Sequence, residues 1–190
     1  MGRRLTSLVG LALMVLCAAA ANATMVMPSS LEQMVAGSDT IAVGRVTSKT
    51  CFADGGKIFT GVTISVTEYL KSYDPDKPAA LTLKLLGGTL GTRSMNVDLS
   101  PTFQTGEEVL LFLKRADDNY VTYGFYYGVC RITASQDGLT SMVSGPVYST
   151  GQVYDFVNKT MVLNDLPIGG EPLGACKARI LNALALGQGR

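Results

Sequence analysis

From about residue 30 onward the chain alternates short runs with every second position apolar and clusters of Gly, Pro, Asp and Asn. The clearest run is Ile58 to Leu70. Ile58, Val62, Ile64 and Val66 share one side, and Phe59, Thr63, Ser65 and Thr67 the other. A period of two over that length predicts a strand with one buried and one solvated face. Thr40 to Cys51 is a second β-type run, and Gly44 inside it marks an expected bulge or tight bend. Ala53-Asp54-Gly55-Gly56 joins these two runs as a hairpin turn. Leu81, Leu83 and Leu85 line one side of a strand over Leu81 to Leu86. Val109 to Leu113 is apolar at every position, the pattern of a strand buried on both faces. Further strands are expected at Met95 to Leu99, Tyr120 to Thr133 and Leu139 to Val143. A small hairpin is expected from Gln152 to Val157 and Thr160 to Leu163.

Two helices flank the strands. Ser29 or Ser30 caps a short one over Leu31 to Ala36, closed by Gly37. Leu173 to Leu186 reads as an amphipathic helix. Leu173, Cys176, Ile180, Leu181 and Leu184 fall near one face, with Lys177 and Arg179 turned away. Many short strands with Gly-marked turns predict an antiparallel barrel or sandwich.

The first 23 residues have a different character. Arg3 and Arg4 precede an uncharged apolar run from Leu8 to Ala20, and Ala21-Asn22-Ala23 is an A-x-A cleavage site. Residues 1–23 therefore read as a cleaved secretory signal peptide, and residues 24–190 as a single domain in the periplasm or the medium. The apolar run is shorter than the ~20 residues of a spanning helix, so no membrane anchor is expected after cleavage.

Composition narrows the chemistry. The chain has 190 residues, 16 basic and 15 acidic side chains, and no His. The missing His excludes Ser-His-Asp and Cys-His catalysis and His-ligated zinc. A net charge of +1 gives no electrostatic footprint for nucleic acid. Cys17 leaves with the leader, so Cys51, Cys130 and Cys176 remain. Three thiols allow one internal bridge in any of three pairings, of which Cys51–Cys130 is preferred because both lie in or beside predicted strands. Cys176 is then a buried hydrophobe or an intermolecular thiol.

Motifs add little. Gly87-Gly88-Thr89-Leu90-Gly91 matches no phosphate-binding pattern and reads as a loop or bulge. Glu107 and Glu108 read as the solvated edge of a buried strand. Tyr120, Tyr123, Phe125, Tyr126 and Tyr127 read as one aromatic-dense strand that packs across the sheet. No catalytic residue, cofactor site or metal site emerges.

Three segments carry a resemblance: LEQMVAGSDTIAVGRVTS (Leu31 to Ser48); TGVTISVTEYLKS with LTLKLLGGTLG (Thr60 to Ser72, Leu81 to Gly91); and PTFQTGEEVLLFLKR leading to YVTYGFYYGVCRIT (Pro101 to Arg115, Tyr120 to Thr133), together covering about Leu31 to Ala134. The chain resembles a family of exported bacterial domains with a fold similar to the OB-type barrel of tissue inhibitors of metalloproteinases and netrin modules. The resemblance implies a mainly β, OB-like barrel with a short N-terminal helix and a C-terminal helix. Inhibitors of that type chelate the protease zinc through an N-terminal Cys, which no residue here matches.

The expected function is a non-enzymatic exported binding module. Its partner is a secreted or envelope protein, including a protease that it restrains or accompanies. Recognition is expected on the loops Phe52 to Lys57 and Gly87 to Met95, with Phe52, Asp54, Lys57, Leu90 and Arg93 as contacts, because rigid barrels carry recognition on loops. A structural or assembly role in the envelope, with Cys176 bridging between chains, is the alternative. A carboxylate-dependent hydrolase ranks last.

Overall fold

The computed structural model describes residues 30–98, 100–145, 152–155, 160–163 and 168–187. Residues 1–23, read above as a signal peptide, and Asn158 and Lys159, within the expected small hairpin, lie outside the described residues. Among the described residues no helix is long and apolar enough to cross a membrane. The chain is mainly β. Helix α1 (Leu31–Gly37) leads into the long hairpin β1 (Thr40–Asp54) and β2 (Lys57–Lys71), followed by β3 (Ala80–Leu86). A small hairpin, β4 (Gly88–Leu90) and β5 (Arg93–Met95), precedes β6 (Glu108–Ala116) and β7 (Asn119–Thr122). A 3₁₀ turn (Phe125–Gly128) leads to β8 (Val129–Ala134) and β9 (Ser141–Ser144). The separate hairpin β10 (Gln152–Asp155) and β11 (Thr160–Leu163) comes next. The two-residue β12 (Glu171–Pro172) then opens directly into α2 (Leu173–Gly187).

The main sheet runs β1-β2-β3-β7-β6-β8-β9-β12, and β1 also pairs with β6. The series β1–β2–β3–β7–β6 thus returns to β1. One pair in it, β3–β7, is parallel. Strand β6 is central. One edge pairs with β1 over Glu108 to Leu113. The other edge is divided, Glu108 to Leu111 taking β8 and Leu113 to Ala116 taking β7.

This placement explains why Val109 to Leu113 is apolar throughout. All five residues are fully buried, and strand alternation sends them into two different cores. Val109, Leu111 and Leu113 join Ala42, Val46, Val62, Ile64, Leu81, Leu83, Leu85 and Tyr120 in a core that includes no helix residue. Leu110 and Phe112 turn the other way. They join Ile41 and Val43 with Leu31, Met34 and Val35 of α1 and Cys176 and Ile180 of α2. Gly44 sits beside a register shift. A Cβ there would stand 2.5 Å from the Ser65 carbonyl oxygen, so the close strand approach needs the bare backbone.

Several sequence expectations need correction. β1 continues past Cys51 to Asp54, because Asp54 pairs with Lys57 across the two-residue Gly55-Gly56 turn. The short strand expected at Met95 to Leu99 lies earlier, at Arg93–Met95, where it folds back on β4 within the Gly-rich segment. The aromatic run from Tyr120 to Thr133 is two strands. Gly124 and Phe125 both take left-handed backbone angles, φ 61° and 58°, and swing the chain off β6 before β8 rejoins it. The rings are therefore scattered: Tyr120 and Tyr127 are buried while Phe125 is exposed. On α2, Cys176 and Ile180 are buried, whereas Leu181 is 49% exposed. Lys177, expected to point away, reaches β2 and pairs with Glu68.

The helix α1 is held at both ends. Ser30 and Gln33 form a reciprocal capping box at its start. At its end the Lys71 ammonium donates to the carbonyl oxygens of Val35 and Ser38, at 2.9 and 2.5 Å. Asp39 then ties the exit to β6. Its carboxylate accepts from the Arg115 amide at 2.9 Å and the Lys114 ammonium at 3.1 Å. Burial alone raises this carboxyl, but those two donors outweigh it and hold it below the ordinary value. A depressed folded-state value contributes stability above the unfolded value near pH 4, which is lost as pH falls further. Asp39→Asn is expected to cost on the order of 0.5–1 kcal/mol at neutral pH after solvent screening. It should also flatten the acid limb of a stability-versus-pH curve measured by urea unfolding. An unchanged slope below pH 4 would contradict this account.

Candidate functional site

The β1–β2 hairpin runs on beyond Arg45, where β1 leaves β6. Around it the chain builds a solvent-open groove of about 400 Å³. The groove is lined by the core residues Val62, Leu85 and Phe103, with Lys49, Cys51 and Thr60 from the hairpin. The segments 86–89 and 95–97 and the returning chain from Ser100 to Phe103 also line it. Ser100 donates to the Leu86 carbonyl oxygen at 3.1 Å, and Lys49 donates to the Phe103 carbonyl oxygen at 3.2 Å. These two bonds hold the returning segment across the sheet.

The polar side chains form a short series. Thr60 Oγ1 donates to the Gly87 carbonyl oxygen at 2.7 Å, and Cys51 Sγ lies 3.5 Å from Thr60 Oγ1. Gly88 touches both. Its φ is 135°, and a Cβ there would stand 2.5 Å from Thr60 Oγ1 and 2.9 Å from Cys51 Sγ. Only glycine permits this backbone angle and this approach, so the Gly-Gly pair is what lets β4 lie against the hairpin.

Alternation along β1 places a different patch on the opposite face of the same hairpin. Phe52 and Phe59 are cross-strand partners. Their rings stack at 5.9 Å between centroids, 23° apart. Lys84 on β3 lies 4.5 Å from the Phe59 centroid, a cation–π contact, and also pairs with Asp54 at 2.7 Å. Phe52 remains 37% exposed.

The structure brings the expected contact residues to one end. Phe52, Asp54 and Lys57 lie at the tip of β1–β2. Leu90 and Arg93 face each other on β4–β5, which packs against that hairpin. Leu90 is 39% exposed. Sequence reasoning missed Phe59 and Lys84 on one face and Lys49 and Thr60 on the other; Gly88 falls within the expected loop Gly87 to Met95. Phe59 was legible, because a two-residue turn at Gly55-Gly56 sets Phe52 opposite it. Lys84 and the groove depend on β3 and the 95–103 return, which no local pattern places.

The cysteines do not follow the expected pairing. Among the described residues Cys51, Cys130 and Cys176 are all free thiols. Val43 pairs with Leu110 and Leu110 with Cys130, while Cys51 lies roughly 25 Å further along β1 at the usual strand rise. A disulfide needs Cα atoms within about 7 Å, so the register excludes Cys51–Cys130. Cys176 is 0% exposed, which removes it as a thiol for bridging folded chains. Glu107 and Glu108 are paired with Arg131 and Arg45, respectively, rather than freely solvated.

Sheet, helix layer and groove together define the class: a mainly β protein whose hairpin end carries exposed apolar and charged side chains. No family model matches the chain, and no curated protein matches it.

Proposed function

We propose that the protein is an exported, non-enzymatic binding module that recognises another secreted or envelope protein through its hairpin end. In this reading the ring β1–β2–β3–β7–β6 is an OB-like barrel, a fold that carries recognition on strand faces and loops. The parallel β3–β7 pair and the β1–β6 pairing support that topology.

One observation carries the functional reading. Two hairpins meet at one end of the sheet: Phe52 is exposed beside Lys84 and Asp54 on one face, the open groove lies on the other, and Leu90 is exposed on the second hairpin. Exposed aromatic and aliphatic side chains rimmed by charge are the composition of a protein-binding surface. The assembly reading through Cys176 loses its support with that thiol buried.

The test compares the wild type with the double variant Phe52→Ser, Leu90→Ser. Both are used as bait against the secreted and envelope fractions of the producing cell. Both positions are more than a third exposed and lie outside the two buried cores, so the variant is expected to stay folded, which its thermal unfolding transition checks. The wild type is expected to retain one protein in stoichiometric amount, and the variant to lose it at least tenfold. Equal recovery by a folded variant would move recognition away from this end. No recovery by either would count against the binding-module reading.

A further inference from the structure

We propose that Cys130 and Cys176 are a disulfide site that clasps α2 to β8. Alternation along β8 sends successive side chains to opposite faces. Val129 faces the core without helix residues, so Cys130 and Ile132 face the helix layer with Val143. Val143 pairs with Ile132 on one side and with Glu171 on the other. Glu171 begins β12, and α2 starts two residues later at Leu173. The first turn of α2 is therefore anchored beside β9, one strand from β8, and packs against β9. Cys176 lies on that turn. Both cysteines are buried, at 1% and 0% exposure, in one cluster with Val143, Ile168 and Ile180. Cys51 lies at the far hairpin, so Cys130 and Cys176 are the two of the three described cysteines that share one core.

The clasp has a mechanical role. Other polar ties of α2 to the sheet include the ion pairs Lys177–Glu68 and Arg179–Glu171, with partly exposed side chains, and such pairs contribute little. A bond at the first turn closes a long loop of chain and restricts the unfolded state strongly.

The chemistry balances simply. Each thiol loses a proton, the two sulfurs join, and the electron pair reduces a donor disulfide to two thiols. The donor is a dithiol oxidase in an oxidising compartment, or oxidised glutathione in a test tube. Burial pushes the Cys176 thiol up to about 11 and the Cys130 thiol higher still, with the neighbouring Cys176 sulfur adding to the effect. Thiolate is the attacking species, so the bond forms while the chain folds rather than after α2 has closed over it. Formation in the cell rests on the export reading given above; the site itself does not.

The experiment separates the two. The purified full chain is unfolded and reduced, then refolded either with oxidised and reduced glutathione or with dithiothreitol. Remaining thiols are alkylated in denaturant and mapped by mass spectrometry. Refolding with glutathione is expected to give a Cys130–Cys176 linked peptide with Cys51 alkylated. The thermal midpoint should lie roughly 10 °C above that of the dithiothreitol sample. Adding glutathione to already folded, reduced protein is expected to give the bond far more slowly. Alkylation of both Cys130 and Cys176 after oxidative refolding, or a bridge from either to Cys51, overturns the proposal. The same map of protein taken directly from the producing cell addresses export alone. A bond present after refolding and absent from the cell-derived protein supports the site and counts against an oxidising compartment.

Discussion

Phe112→Ala is expected to cost about 3–5 kcal/mol, the range for removing a fully buried Phe, and to lower the thermal midpoint by roughly 6–20 °C. Phe112 is 0% exposed and the largest side chain in the helix-facing core. It lies opposite Ile41 on β1, in the cluster that receives Met34 of α1 and Ile180 of α2. Its removal leaves a cavity where sheet and helices meet, which the stiff β1–β6 pair cannot collapse to fill. Urea unfolding gives the loss directly. Hydrogen exchange gives its location: the amides of α2 are expected to lose protection before those of β2 and β3. A cost below 1 kcal/mol, or uniform loss across the sheet, would show that the helices are not part of the cooperative core.

Gly128→Ala is the second large effect. A Cβ at this position would stand 2.5 Å from the Tyr123 carbonyl oxygen, 2.7 Å from the Phe112 carbonyl oxygen and 2.8 Å from the Tyr123 nitrogen. All three are backbone atoms, and two of them share the hydrogen bond in which Tyr123 N–H donates to Phe112 at 2.8 Å. No rotamer change relieves such a clash, so the point where β7 gives way to β8 along β6 has to shift. The expected cost is about 3 kcal/mol, the upper end of the overpacking range. Gly174→Ala is the control. A Cβ there meets nothing within 4 Å, and helix propensity predicts an unchanged or slightly raised stability. A Gly128→Ala protein as stable as this control would contradict the packing described.

Much of the strand layer was legible in the sequence. Period-two patterns at Ile58 to Val66 and Leu81 to Leu85 assigned buried faces that the structure bears out, with Val62, Ile64, Leu81 and Leu83 at most 2% exposed. Val109 to Leu113 read as doubly buried and is so. The aromatic segment was misread for a physical reason. Tyr and Phe favour strands wherever they occur, so composition alone continued the strand through Gly124 and Phe125. The break there is enforced by β6, which has room for two successive partners on one edge, and that constraint is non-local. The site was half legible. Local turn chemistry marked the Gly55-Gly56 hairpin tip and the Gly-rich segment after Leu86 as exposed loops, while the second hairpin and the groove depended on the sheet.

The sequence by itself determined the local terms: which residues alternate, where turns fall, where helices start, and that His chemistry is excluded. Each of these depends on side-chain period, backbone freedom or composition within a few residues. Only the tertiary structure decided the rest: the return of β6 to β1, the division of one apolar strand between two cores, and the burial of Cys130 with Cys176 in one of them, far from Cys51. These follow from pairings between strands tens of residues apart. Such pairings are set by the joint burial of several faces at once, a condition that no single segment of the chain encodes.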